Sequence, residues 1–252
     1  MKIVAINASH RGDKGMTRFF VDRLFDGATR AGAECEVVTL AKLKINRCLS
    51  CYRCQAEEAH LTCVYNDKDD VGAIFDKIAG ADIVVFATPV YLMNMTGLLK
   101  ILLDRMYSTM DISDARLSNG LIHHHVNPAI SSKPFVSLIV CSNLEDEAWQ
   151  NVASYFRTYA RFMEARQVGV LVRNASGLFD YANNPTLGHD FPKIFDICQA
   201  YERAGHELAT LGHLRRATER KANQEVVPLP FFSVLKHLRP VKVKVIEYLR
   251  DG

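Results

Sequence analysis

The chain has 252 residues, 48% hydrophobic and 23% charged, a composition that excludes a disordered or fibrous protein. Its net charge of +3, without basic residues interleaved with aromatics along one surface, gives no support for a nucleic-acid partner. The first residues run straight into a strand pattern with no leader-like apolar stretch, and no apolar run approaches the roughly 18 residues of a membrane span, so a cytoplasmic, reducing location is expected. There, the seven cysteines serve metal, redox or burial roles in place of disulfides.

Lys2 to Asn7 is a short β-branched run and predicts a buried strand. Phe20, Val21, Leu24, Phe25, Ala28 and Ala31 then recur at helical spacing up to Gly32, and Glu34 to Leu40 supplies a second strand. After a cysteine-rich loop, residues 44–66, a helix begins near Asp70 with Val71, Ile74, Phe75 and Ile78 on one stripe. Asp82 to Thr88 is almost wholly apolar, as in a parallel strand covered on both faces. A helix follows from about Thr96 to Met106. Residues 111–133, with Asn119, Gly120, a histidine triplet and Pro128, read as an irregular insertion. Pro134 to Cys141 gives a fourth strand, 146–164 a helix, Gln167 to Arg173 a fifth strand, and Asp190 to Leu211 a last helix.

Strands alternating with helices predict an α/β doubly wound parallel sheet of five strands, order 2-1-3-4-5, with helices on both faces. The domain so built covers 1–213. Residues 213–252 hold nine Lys or Arg against four Asp or Glu, which marks 214–252 as a basic extension. Its apolar segment, Phe231 to Leu238, is short and broken by Pro240, so packing on a neighbouring subunit or on its own domain is preferred over a membrane surface.

In such a sheet ligands bind at the carboxyl ends of the strands, where the order reverses, here between strands one and three. The first loop, Asn7 to Thr17, is rich in glycines and hydroxyls and ends at a helix start. Converging backbone N–H groups, the Ser9 and Thr17 hydroxyls and the helix dipole suit a phosphate there, although either hydroxyl alone can be a helix cap. The loop lacks the glycine spacings of dinucleotide and P-loop nucleotide sites. The second loop, Thr88 to Gly97, offers a proline, an aromatic ring and exposed backbone, a mixture that suits a flat redox cofactor; Tyr91 is equally readable as a core aromatic.

N-A-S-H-R-G-D-K-G-M-T after strand one, A-D-I-V-V-F-A-T-P-V-Y, and T-G-L-L-K-I-L-L-D-R together resemble the NADPH-dependent FMN reductase family of flavodoxin-like proteins. The resemblance implies that Ser9, Arg11, Gly15, Met16 and Thr17 hold the FMN phosphate and that Pro89, Val90, Tyr91, Leu92, Met93 and Asn94 line the isoalloxazine. It implies a third contact near Cys141, at Ser142 and Asn143. His10, where many relatives carry a small residue, can donate to phosphate or face solvent.

Cys48, Cys51, Cys54 and Cys63 form C-x2-C-x2-C-x8-C. Three thiols at this spacing resemble the run that ligates [4Fe–4S] centres, with Cys63 as the fourth ligand. The motif is similar to that of the iron–sulfur flavoproteins within the same family, with a longer last gap. Zinc and metal-free packing are the other readings. The loop leaves strand two on the rim of the phosphate loop, so a cluster there would lie near the flavin. The adjacent His123, His124 and His125 cannot all face one ion and are expected in a solvated loop. Asp67, Asp69 and Asp70 could suggest a cation site, but Asp69 or Asp70 is expected instead to cap the next helix and complement its dipole.

An FMN-dependent oxidoreductase is therefore expected, fed by NAD(P)H or a protein donor and passing electrons to a small-molecule or protein acceptor, with a four-cysteine cluster. The resemblance also implies a homo-oligomer, dimer or tetramer. A cluster-free FMN or quinone reductase and a non-catalytic electron carrier or redox sensor are the alternatives. Nothing in the sequence singles out a catalytic side chain, and no supporting motif indicates hydrolase chemistry.

Overall fold

The computed structural model describes residues 1–118, 120–227, 232–235 and 237–251; Asn119 and Phe231, named above, lie outside the described residues. Five parallel strands form the sheet: β1 (Lys2–Asn7), β2 (Glu34–Thr39), β3 (Ile83–Tyr91), β7 (Phe135–Val140) and β8 (Gln167–Arg173), in the spatial order β2-β1-β3-β7-β8. Counted without the short strands between β3 and β7, this is the expected 2-1-3-4-5.

The apolar runs are buried on both faces because side chains alternate between two cores. Ile3, Ala5, Ile83, Val85, Val136 and Leu138 pack against α1 (Met16–Arg30) and α6 (Lys193–Leu211). Their neighbours Val4, Ile6, Val84, Phe86, Phe135 and Ile139 face α2 (Val71–Ala79), α3 (Gly97–Arg105) and α4 (Glu147–Phe162). The chain thus leaves β1 toward one face and β3 toward the other, which opens a crevice at their carboxyl ends.

Three features depart from the expectations. The loop after β3 doubles back as a sixth strand, β4 (Asn94–Met95), antiparallel to the end of β3. The first part of the 111–133 segment is not irregular, since β5 (Met110–Ser118) and β6 (Leu121–Val126) make an antiparallel hairpin whose register breaks between Asp111 and Ala115, while 128–132 form turns. The histidine triplet lies on β6 rather than in a solvated loop: His123 is buried, His124 half-buried and His125 exposed, a graded burial that departs from strict strand alternation.

Beyond residue 213, α7 (Arg216–Ala222) lies along β8, the open edge of the sheet. Its side chains do the work of a further strand. Glu219 Oε1 accepts from the Val170 N–H (2.7 Å), Asn223 Oδ1 accepts from the Val172 N–H (2.8 Å), and Asn223 Nδ2 donates to the Val170 carbonyl (2.9 Å). An edge so covered cannot template another chain. Arg173, completely buried, clamps the arrangement by donating to the carbonyls of Asn174, Ala222 and Gln224 at 2.8 to 3.0 Å.

Replacing Arg173 by Met leaves those carbonyls without their charged donor, an expected loss of about 2–3 kcal/mol. A melting curve should fall by roughly 5–10 °C, and trypsin should cut at Arg215 and Arg216; an unchanged melt would show that the clamp is dispensable. Helices α8 (Phe232–Leu235) and α9 (Arg239–Asp251) follow, and Lys242 pairs with Glu145 in the loop after β7 at 3.0 Å. The extension therefore folds back on its own domain. Among the described residues no helix is long and apolar enough to cross a membrane.

Candidate functional site

The loop after β1 is shaped by its own polar groups. The buried Asn7 donates through Nδ2 to the Gly12 carbonyl (3.1 Å), and its Oδ1 accepts from the Ser9 N–H (3.2 Å). Ser9 Oγ accepts in turn from the Arg11 N–H at 3.2 Å. Ser9 is therefore committed to this turn and does not cap the helix; Thr17, also buried, lies inside α1. Gly15 stands at the N-cap, so no side chain at that position competes for the first-turn N–H groups. A Cβ on Gly15 would sit 2.6 Å from Ser9 Oγ. The result is a helix N-terminus with no side-chain cap and with tight packing of Gly15 on Ser9, a setting whose free N–H groups and dipole suit an anion. Arg11 is exposed beside it.

Asp13 fastens this loop to its surroundings. Its carboxylate is paired with Lys42, accepts from Thr39 Oγ1 at 2.8 Å and pairs with Arg18 at 2.8 Å, and these partners, Lys42 foremost, hold its pKa down to about 2. A carboxyl depressed in the folded state stabilises above its unfolded pKa, near 4, and the contribution disappears as pH falls through the folded value. The stability difference between the wild type and Asp13→Asn should accordingly be present at neutral pH and close between about pH 4 and 2. It should be small, because solvent screens the pairs; a gap that persists in acid would contradict this assignment.

The end of β3 carries the second loop. Leu92 and Met93 both adopt the left-handed region, φ 47° and 61°, in a tight turn that pairs Tyr91 with Asn94 and Val90 with Met95. Neither residue favours that conformation, and each costs about 1 kcal/mol there. The turn is held by the strand pairing, by Asn151 Nδ2 donating to the Met93 carbonyl (3.2 Å), and by Asn94 Oδ1 accepting from the Met95 N–H (2.8 Å). Tyr91 and Met93 are exposed, Leu92 is 96% exposed, and Pro89 and Val90 are half-buried. Tyr91 is not a core aromatic.

The two loops meet. Thr96 Oγ1 donates to the Ala8 carbonyl (2.9 Å) while accepting from the Leu99 N–H (3.3 Å) as the N-cap of α3. Thr88 Oγ1 accepts from the Thr96 N–H at 3.2 Å. His10, exposed, lies in a stacked orientation against Tyr91 with ring centroids 5.7 Å apart. Neither threonine stood out in the sequence reading, although Thr96 before an apolar helix is a legible cap. Ser142 and Asn143 are exposed at the end of β7, where the Asn143 carbonyl accepts from the Ala175 N–H (3.0 Å), tying them toward β8.

Cys48, Cys51, Cys54 and Cys63 border a single cleft together with Arg105 and Tyr107. The Ser50 N–H points to Cys48 Sγ (3.5 Å) and Gln55 Nε2 to Cys54 Sγ (3.7 Å). Burial pushes the Cys54 thiol up, and the nearby Cys63 and Cys48 add to the push against the Gln55 hydrogen bond. Three residues of the loop, Ser50, Tyr52 and Leu61, hold positive φ. Gln55 laces the loop to the hairpin, donating to the Met110 carbonyl (2.8 Å) and accepting from the Ile112 N–H (3.1 Å). The donor set is that of a thiolate-rich centre. As the side chains are placed, no group of three or more His, Cys, Asp or Glu among the described residues could hold a metal ion.

Of the three aspartates, Asp70 stands at the N-cap of α2 without a side-chain cap bond and accepts instead from the Lys44 N–H (2.7 Å). Asp69 accepts from the Val71 N–H (3.2 Å) but chiefly serves Arg105 and the Asn46 N–H. Asp67 is exposed.

Residues 1–125 match the model of a family described as NADPH-dependent FMN reductase. An iron–sulfur flavoprotein of Archaeoglobus fulgidus is 32% identical over 133 residues, which are 52% of this chain and 59% of that protein. One from Methanocaldococcus jannaschii is 35% identical over 105 residues, 42% of this chain and 50% of that protein. The chain thus spans about half the length of the curated relatives it matches. In fold it is similar to an FMN-dependent NADH-azoreductase of Bacillus anthracis in complex with FMN, with a TM-score of 0.58 at 12% identity over 83% of this chain and 99% of that one. It is also similar to an NAD(P)H:quinone oxidoreductase of Methanothermobacter marburgensis, with a TM-score of 0.52 at 16% identity over 86% of this chain and 99% of that one.

Proposed function

Because the chain belongs, through residues 1–125, to the NADPH-dependent FMN reductase family, we propose that it is an FMN-dependent oxidoreductase carrying an iron–sulfur cluster on Cys48, Cys51, Cys54 and Cys63. The observation that carries the flavin is the N-terminus of α1 at Gly15, which lacks a side-chain cap and where a Cβ would come within 2.6 Å of Ser9 Oγ. When bound, FMN supplies the conversion between the hydride pair of a nicotinamide and single electrons.

The residues divide the work by their chemistry. Ser9, Gly15, Met16 and Thr17 bind the phosphate, with Arg11 adding charge. Pro89 to Asn94 lie along the ring, Tyr91 and Leu92 offering apolar surface and the strained turn presenting backbone N–H groups. Ser142 and Asn143 close the third side. Thr88 and Thr96 fix the first two loops against each other, so the helix N-terminus and the ring wall keep one spacing.

The cluster reading is supported by cysteine spacing, by the shared cleft and by relatives named iron–sulfur flavoproteins. NAD(P)H or a reduced protein is the donor in this reading, and a small molecule or protein the acceptor. Residues 1–213 are the flavin domain, 214–252 an extension over its edge, and the exposed apolar tip at Tyr91 to Met93 supports a homo-oligomer. A cluster-free NAD(P)H-dependent reductase is the second reading, favoured by the lack of a metal-holding arrangement among the described residues.

Anaerobic purification followed by an absorbance spectrum and by FMN, iron, zinc and acid-labile sulfide analysis decides among them. FMN with iron and sulfide is expected. FMN without iron or sulfide leaves the reductase reading, and no bindable FMN sinks both.

A further inference from the structure

The last residue of α3, Arg105, has a side chain only 1% exposed, paired at 2.5 Å with the fully buried side chain of Asp69. Its Nη1 serves Asp69 and the Asn46 carbonyl (2.9 Å), and its guanidinium lies over the Tyr65 ring with 5.4 Å to the centroid. Its Nε and Nη2 are buried and make no hydrogen bond. Donors of a charged group left unmade in the interior are costly, and in native proteins they mark strain, an ordered water or ion, or a redox or catalytic role. The pair with Asp69 accounts for one nitrogen and not for the other two. Arg105, and not Asp69, borders the cleft of the four cysteines, so the positive end of the pair is the one presented to the thiols.

We propose that Arg105 is the positioning residue of the cysteine site, donating through Nε and Nη2 to sulfur of an anionic group held by the thiolates. This rests on the cluster reading above. Four thiolates around a cluster bring net negative charge, and a one-electron reduction increases it without forming or breaking any bond to Arg105. A fixed guanidinium in a buried site favours the reduced form and therefore raises the potential, while its two N–H donors hold the ligand sulfurs in place. Asp69 and the Asn46 carbonyl orient the fork. Lysine, a point charge on a flexible stem, cannot reproduce it.

The test reconstitutes the full chain anaerobically with ferrous iron and sulfide, then measures iron and sulfide per chain and titrates with dithionite while following the reduced cluster by electron paramagnetic resonance. Arg105→Lys keeps a charge for Asp69. Arg105→Met combined with Asp69→Asn removes the pair without stranding a buried charge. FMN content reports an intact fold.

The double variant is expected to keep FMN, to lose iron on gel filtration, and to be harder to reduce by at least tenfold in equilibrium constant, about 59 mV for one electron. Arg105→Lys is expected to lose iron at least tenfold faster than wild type, and it decides the matter if the double variant does not fold. Equal potential and equal iron retention in a folded variant would overturn the proposal and leave Arg105 as a structural pair for Asp69. A wild type that takes up neither iron nor sulfide overturns the cluster reading itself, and this proposal with it.

Discussion

Gly27→Ala and Gly205→Ala are each expected to lower the melting temperature by roughly 6–12 °C and to reduce FMN content in parallel. The two glycines lie where α1 and α6 cross. A Cβ on Gly27 would overlap the Glu202 carbonyl, and one on Gly205 would overlap the Leu24 carbonyl. Overpacking usually costs about 1–3 kcal/mol because side chains can swing aside. Here the obstacle is main chain on both helices, so the upper end, about 3 kcal/mol, is expected. The helices can separate only by opening a core that holds Phe20, Leu24, Tyr201, Ala204 and Leu208. Since the N-terminus of α1 is where the proposed function puts the phosphate, a displaced α1 carries Gly15 and Thr17 with it. Differential scanning fluorimetry with and without FMN measures both effects. A variant that melts as wild type does would refute the backbone-to-backbone contact.

Such a contact shows what the sequence could and could not disclose. The five strands were legible because parallel strands covered on both faces read as unbroken apolar runs, Ile3 to Ile6 and Ile83 to Ala87 most plainly. The stripe Phe20, Val21, Leu24, Phe25 and Ala28 was legible as a buried helix face. That Gly27 and Gly205 face the carbonyls of Glu202 and Leu24 was not, because the two helices lie far apart in the chain and must first be docked. The turn at Leu92 and Met93 was illegible for a local reason: tight hairpins announce themselves by Asn-Gly or Asp-Gly, and here tertiary pairing imposes positive φ on two residues that resist it.

The hairpin of β5 and β6 was misread because the His triplet and neighbouring polar residues lack strand alternation of hydrophobicity. Its exposed Leu117 and Ile122 share the hairpin with a buried His123. Asn223 and Glu219, which finish the edge of β8, look like ordinary polar residues of a basic helix. At the candidate site, the glycine- and hydroxyl-rich loop after β1 and the cysteine spacing could be read in order along the chain. Arg105 could not, because its meaning depends on Asp69, 36 residues away, and on a cleft that only the fold creates.

Gly15→Ala is expected to weaken FMN binding by roughly 10- to 150-fold while leaving the apo fold in place. The added methyl would sit 2.6 Å from Ser9 Oγ. Ser9 cannot yield freely, because its hydroxyl accepts from Arg11, its N–H donates to Asn7, and Asn7 in turn holds Gly12. The loop must therefore shift as a unit or the helix N-terminus must move, and either change spoils a charged hydrogen bond between a backbone N–H and the phosphate. One such bond contributes about 1.5–3 kcal/mol, which converts to the stated range. The backbone-to-backbone contact of α1 and α6 at Gly27 and Gly205 lies more than two turns away and is untouched, so the melting temperature without FMN should stay within about 2 °C. Riboflavin supplies the discriminating control, since it has the ring but no phosphate. A fluorescence-quenching titration should show the FMN constant moving and the riboflavin constant holding still. If both ligands weaken equally, the loop at Gly15 shapes the ring wall instead, and the phosphate must be held elsewhere on the rim.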